Sequence, residues 1–256
     1  MERPLYRSLI FAVLTCISIA CGASELNDVY RRAVQAPGRS EADRERDLRE
    51  SPEAFLAFAG YKPGMRIADI FGGGGYYAEL LSRVVGARGQ VLLLNNPFYE
   101  TSTEALLSAH LKGGRLKNVV HTTIDPADLK LRTASLDSVL LVMAFHDLYF
   151  EDAAQGWPAI DASHFIDQVV SALKPGGTLL IIDHAARPGS GASAVPTLHR
   201  IDENFTRHTL TEHGLAFESA WDGLRNPADD HSRRVFDPLI RGRTDRFVHR
   251  YRKPGG

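Results

Sequence analysis

Cysteine is scarce in this chain. Its 256 residues include two, Cys16 and Cys21, both near the N-terminus. Everything after Ala23 is cysteine-free, which excludes disulfides and thiolate chemistry there and suits an oxidising compartment. A dominant charge sign is also lacking. Thirty basic side chains against thirty-one acidic ones leave a formal net charge of −1, so no global field draws the chain to nucleic acid or acidic lipid. Repeats and low-complexity tracts are missing. What remains, 44% hydrophobic and 24% charged residues, is the composition of a folded globular protein with a sizeable core.

The N-terminus differs from the rest. Arg3 and Arg7 precede an apolar run from Leu9 to Ala20, and the small residues Cys21-Gly22-Ala23 follow. The run is short of the roughly 20 residues that cross a bilayer. A basic start, an apolar centre and a small-residue exit describe a secretory signal peptide over residues 1–23. Cleavage after Ala23 frees a chain beginning at Ser24. Cleavage before Cys21 leaves a lipid-modified cysteine, but Ser18 occupies a position usually aliphatic in that signal. The expectation is an exported, periplasmic protein with no stable membrane span.

Residues 24–60 form an expected helical segment, loosely attached, with Leu26, Val29, Tyr30 and Ala33 at helical spacing. Ser51-Pro52-Glu53 reads as an N-cap and first turn. The mixed charges from Arg39 to Arg49 read as a solvated helix face. Over residues 61–256 strands alternate with helices. Strands are expected at 65–70, 91–94, 119–124, 136–144 and 178–182, with helices at 76–85, 102–112 and 159–173. Lys174-Pro175-Gly176-Gly177 reads as a tight turn. A helix at 201–213 and strands at 215–221 and 246–251 complete the pattern, the last two pairing antiparallel at a sheet edge. Such alternation implies a doubly wound, seven-stranded, mostly parallel α/β sheet of Rossmann-like type.

Between the first strand and the first helix of that sheet lies Asp69-Ile70-Phe71-Gly72-Gly73-Gly74-Gly75. Glycines let backbone approach a ligand, and the helix start offers free N–H groups. A dinucleotide fingerprint needs a third glycine where Tyr77 stands, and a P-loop needs Gly-Lys-Ser/Thr where Gly75-Tyr76-Tyr77 stands. An S-adenosylmethionine loop remains.

Asp69 to Tyr77, followed by Leu80-Leu81, resembles the cofactor motif of the class I S-adenosylmethionine-dependent methyltransferases. Leu173-Lys174-Pro175-Gly176-Gly177-Thr178-Leu179 resembles their turn before the fifth strand. Phe145-His146-Asp147-Leu148-Tyr149, Asp183-His184, Leu198 to Asp202, Leu224 to Pro227, Val235 to Pro238 and Arg241-Gly242 resemble a branch of predicted, exported methyltransferases of undefined substrate. The resemblance implies a methyltransferase fold, S-adenosylmethionine as cofactor, and methyl transfer to a small-molecule acceptor. It points to Asp69, Phe71, Gly72, Gly73, Gly74, Tyr76, Asn95 and Phe145 as cofactor-binding. Phe71 replaces the usual first glycine, and Asn95 the usual ribose-holding acid. A neutral hydrogen bond contributes about 0.5–1.5 kcal/mol against about 1.5–3 for a charged one, so weaker cofactor binding is expected.

His146-Asp147 follows the fourth strand and Asp183-His184 the fifth, so both pairs face the crevice outside the strand ends. His199-Arg200 and Asp230-His231 lie on later loops positioned to close over it. His146 is the expected base, with Asp147 and His184 beside it; Asp147 or Asp183 can orient the imidazole. No spacing here is a recognised metal signature. A binding protein without transfer, and a metal-dependent enzyme using the His/Asp cluster, are the competing readings. Oligomeric state is open.

Overall fold

The computed structural model describes residues 24–255; the expected leader lies outside them. Five strands run parallel: β1 (Arg66–Ile70), β2 (Gln90–Asn95), β3 (Val119–Thr123), β4 (Leu136–Val142) and β5 (Leu173–His184). Two more, β6 (Ala216–Ala220) and β7 (Arg246–Arg252), close one edge. β7 lies antiparallel between β5 and β6, giving the order β3-β2-β1-β4-β5-β7-β6. Chain direction away from the centre reverses between β1 and β4, the place where open sheets bind ligands.

Helices cover both faces: α1 (residues 24–34), α2 (Glu41–Glu50), α3 (Pro52–Ala59), α4 (Tyr76–Val85), α5 (Pro97–Leu111), α6 (Ala162–Ala172), the one-turn α7 (Val195–Leu198) and α8 (Glu203–Glu212). Alternate strand residues face opposite sides. Ile67, Val91, Leu93 and Leu140 pack under α1, α3 and α4. Ala68, Ile70, Leu92, Val139 and Leu141 pack under α6 and α8 through Phe165, Val169 and Leu210. Strands buried on both faces read as apolar runs, as these do.

Several expectations change. The segment at 24–60 is not loosely attached. Tyr30, Ala33, Phe55 and Leu56 are buried in the same core as α4, and Glu50 accepts from Arg246 at 2.7 Å. The charged stretch from Arg39 to Arg49 is only partly solvated. Arg39 bonds both oxygens of Asp47 at 2.6 and 2.8 Å, and Asp43 meets His110 at 2.9 Å. Sign-mixed charges thus conceal buried ion pairs, which composition does not separate from exposed ones. Ser51 precedes α3 but has φ of 45° and makes no side-chain cap bond. α5 starts at Pro97, not 102, because the Asn96 side chain accepts from the Tyr99 N–H and caps it. The expected turn at 174–177 lies within β5, because β4 and β5 pair across an irregularity that starts at Leu136 opposite Leu173.

Candidate active site

The glycine run leaves β1 and enters α4. Phe71 takes φ of 55°, the conformation glycine adopts freely, and Gly73 and Gly75 take 57° and 90°. Packing within the protein demands two of the other glycines. A Cβ on Gly72 would lie 2.5 Å from the Asp69 carboxylate, and one on Gly74 2.6 Å from Leu106. Asn95 spans the loop: the Gly73 N–H donates to its Oδ1 at 2.9 Å, and its Nδ2 donates to the Gly73 carbonyl at 3.0 Å. Asn95 therefore shapes the loop, with one acceptor lone pair and one N–H of its amide committed to Gly73. Its backbone position at the end of β2 placed it where sequence reading expected a ligand contact.

Asp69 sits beneath this turn, fully buried, with neither carboxylate oxygen hydrogen-bonded. Burial lifts its pKa to about 7, against the opposing pull of Arg46 and the Ala78 amide. Buried polar groups are nearly always partnered, so this carboxylate marks a place where a donor belongs.

Three residues expected at the cofactor have side chains engaged within the protein. Tyr76 turns toward α2, donating to Asp47 at 2.7 Å with Arg46 over its ring at 4.1 Å. Phe145 is buried in the core beside Tyr149. Phe71 stacks on Tyr99 at 5.3 Å and packs against Phe165. Phe71, Phe98, Tyr99 and Trp157 form an aromatic wall. The resemblance pointed to Tyr76, Phe145 and Phe71 but not to the direction each ring takes.

Two clefts flank the wall. One, about 500 Å³, opens at the ends of β2 and β3, between Asn96, Pro97, Ile124, Asp125 and Trp157. Sequence reading missed Asp125, whose signal was an acidic residue two positions after β3. The other, about 540 Å³, holds His146, Asp147, His184 and His199, with Arg234, Phe236 and Arg241 at the same crevice. The buried Trp157 Nε1, on the wall of both, has no hydrogen-bond partner.

Asp183 organises the second cleft. Its carboxylate accepts from the His146 N–H at 2.9 Å, from the His146 Nδ1–H at 2.7 Å and from the His184 N–H at 2.7 Å. His146 Nε2 lies 3.3 Å from Asp147 Oδ1. Tyr99 donates to Asp147 Oδ2 at 2.8 Å. Burial alone would depress the His146 imidazolium, but Asp183 and Asp147 outweigh it and lift its pKa to about 9. His184 moves the other way. Burial, then His146 and Arg246, depress it well below the ordinary histidine value. Burial, His146 and Arg234 depress His199 to about 4. The crevice thus pairs one protonated imidazole with two neutral ones. His184 Nδ1 meets Thr244 Oγ1 at 2.7 Å, leaving Nε2 for a ligand.

The later polar pairs divide. His199 lines the crevice. Arg200 is buried and structural, bonded to Asp229 and to the Ala185 and Arg233 carbonyls. Asp202 caps α8. Asp230 bonds Ser232, and His231 meets Asp245, both outside the cleft lining.

No protein-family model matches the chain. Its similarity to known proteins is partial in sequence and broad in fold. The ubiquinone/menaquinone biosynthesis C-methyltransferase UbiE of Saccharophagus degradans is 28% identical over 130 residues, which is 50% of this chain and 46% of that one. UbiE of Pseudomonas putida is 29% identical over 130 residues, 50% of this chain and 45% of its own. The match thus spans about half the length of these relatives. An S-adenosylmethionine-dependent methyltransferase from Aquifex aeolicus superposes with TM-score 0.57 at 19% identity, covering 79% of this chain and 89% of its own. One from Mesorhizobium loti gives 0.52 at 18%, covering 78% and 95%. The [4+2]-cyclase SpnF gives 0.59 at 17%, covering 86% and 84%. The chain carries the seven-stranded fold of the S-adenosylmethionine-dependent methyltransferases.

Proposed function

We propose that this protein is an exported methyltransferase that moves a methyl group from S-adenosylmethionine to a small-molecule acceptor held in the histidine-lined cleft. The observation that carries the reading is Asp69, a buried carboxylate without a partner under a glycine turn at the sheet's switch point. The residues fit the donor there in kind. Asp69 offers an acceptor for an amine or hydroxyl, the turn from Gly72 to Gly74 offers backbone, and Asp125 and the Asn96-Pro97 turn line the neighbouring cleft. Phe71 and Asn95, engaged with Tyr99 and Gly73, support the weaker donor binding expected from the sequence.

Bound S-adenosylmethionine supplies a methyl group already activated on a sulfonium. The chain's part is then mostly alignment. The acceptor lies among Phe98, Phe150, Phe236 and the histidines. His146, fixed from two sides by Asp183 and Asp147, orients it. His184, its Nδ1 held by Thr244 and its Nε2 unbonded in the same cleft, is placed to take the acceptor's proton. The aromatic lining and the guanidinium groups of Arg234 and Arg241 suit an acceptor with an unsaturated, anionic body.

Calorimetry with S-adenosylmethionine and with its demethylated product tests the reading. Binding of both, with the product at micromolar affinity, is expected; no heat from either at high micromolar ligand sinks it. His184→Gln is expected to lower turnover 10²-fold or more, the scale of a lost general base, while leaving donor binding within about twofold. Equal turnover in the variant returns the base role to another group.

A further inference from the structure

We infer that His146, Asp147 and His199 form a site for one divalent transition-metal ion at the floor of the histidine-lined cleft, with the ion's remaining positions open to an oxygen of the methyl acceptor. The metal site stands on its own geometry; only the identity of the oxygen ligand rests on the methyl-transfer reading.

One ligand atom from each residue lies within 4.8 Å of the other two. His146 Nε2 is 3.3 Å from Asp147 Oδ1, and His199 Nδ1 is 3.9 Å from the same oxygen. A tetrahedral ion with bonds of about 2.0–2.1 Å needs ligands roughly 3.3 Å apart. The His146–Asp147 pair already has this spacing, and His199 must close on the other two. Two imidazoles and one carboxylate suit zinc, manganese, iron or cobalt rather than calcium or magnesium, which prefer all-oxygen shells.

The surroundings are those of a built site. A metal-binding histidine ordinarily donates its other ring N–H to a carboxylate, which fixes the tautomer. His146 does so to Asp183 at 2.7 Å, leaving Nε2 to face Asp147. Asp147 has Oδ2 held by Tyr99, leaving Oδ1 for the ion. The His199 ring is held by Phe150 at 4.4 Å and Phe236 at 4.9 Å, on a backbone with φ of 52°. Two buried carboxylates, Asp147 and Asp183, share one imidazole between them, and a dication answers that excess. Room remains for a ligand, since the cleft above measures about 540 Å³.

Two features oppose the ion: the His146 imidazolium must give up its Nε2 proton to coordinate, and Arg234 is in contact with His199. Arg234 approaches His199 Nε2 at 3.3 Å, and an arginine can only donate there. Metal on Nδ1 needs the proton on Nε2, so Arg234, itself exposed, must swing aside. A second triad, of two carboxylates and one histidine, Asp43, Glu79 and His110, also exists among the described residues. There Glu79 is already bonded by Arg83 and Arg115, and His110 by Asp43. Two guanidinium groups satisfy that cluster and repel a further cation.

The test uses purified protein stripped with chelator and titrated with cobalt(II), followed by its visible ligand-field bands, with zinc as competitor. One equivalent is expected to bind and to be displaced by zinc. Asp147→Asn and His199→Gln are each expected to weaken binding at least tenfold, and Arg234→Ala to strengthen it. His110→Gln should bind as the wild type does. No saturable cobalt band overturns the inference, as does equal affinity in both ligand variants or loss in His110→Gln alone. His199→Gln, on a loop outside the sheet, keeps the test decisive if Asp147→Asn fails to fold. Calorimetry with S-adenosylmethionine on the same stripped samples separates the two readings. Donor binding without a cobalt site leaves methyl transfer standing and the metal refuted; a cobalt site without donor binding does the reverse.

Discussion

Two residues beside the glycine turn hold opposite kinds of tension. Phe71 keeps φ at 55°, which costs an L-residue about 1–2 kcal/mol. Its ring is buried against Tyr99, Trp157 and Phe165, and burying such a side chain contributes about 1.5–3 kcal/mol. Burial wins, so the phenylalanine is kept where a glycine would sit more easily. For Asp69 the compensation is only partial: Arg46 and the Ala78 amide pull against its burial and do not offset it. Its folded pKa, about 7, lies above the unfolded value of 3.8. Folding therefore penalises its charged form, and the apo protein loses stability as pH rises from about 4 to about 7. The loss is on the order of 4 kcal/mol, flat above that window. Asp69→Asn removes the titration. Thermal melts of wild type should fall across pH 4–7 relative to those of the variant; parallel curves would show that the carboxylate is partnered after all.

At the scale of elements, the N-terminal helices are part of the sheet's cover. Glu50 at the end of α2 meets Arg246 at the start of β7, 2.7 Å apart, with each side chain 5% exposed. The Tyr77 hydroxyl of α4 adds a bond to the same carboxylate. Removing one partner of a buried pair leaves an uncompensated charge, which costs about 3–5 kcal/mol. Glu50→Ala should lower urea-denaturation stability by that amount. A loss below about 1 kcal/mol would mean that α2 is held only at its surface. The same pairing explains why the segment looked loose from its sequence. The partner lies 196 residues away, and no local pattern reports it.

At the scale of the whole molecule, a near-neutral chain presents both clefts at the carboxyl ends of parallel strands. None of the described helices is long and apolar enough to cross a membrane. The proposal of export rests on the basic, apolar and small-residue pattern of residues 1–23. N-terminal sequencing of protein recovered from an exporting cell should read from Ser24; an intact Met1 would refute export by this signal, and a blocked Cys21 would favour the lipid-modified form. The polar stretch from Arg225 to Gly242 brings Arg234, Phe236 and Arg241 to the second cleft, although its sequence reads only as an irregular loop.

The sequence alone determined the order of elements, the parallel sheet with its antiparallel edge, the glycine turn, and the arrival of His146, Asp147 and His184 at one crevice. These follow from hydrophobic period, turn residues and the rule that strand ends share a side, all of which are local or topological. Tertiary structure decided what each side chain does there. It turned Tyr76 toward α2, buried Phe145, spent Asn95 on Gly73, left Asp69 unpaired, and brought His199 beside Asp147 from 52 positions away. Those outcomes depend on distances and electrostatics between residues remote in the chain. Asp183 and Asp147 hold His146 toward the imidazolium against its burial, while burial and then the neighbouring His146 and Arg246 hold His184 toward the neutral form. The same residue type, two strand ends apart, thus took opposite charge states for a reason that only three-dimensional neighbours supply.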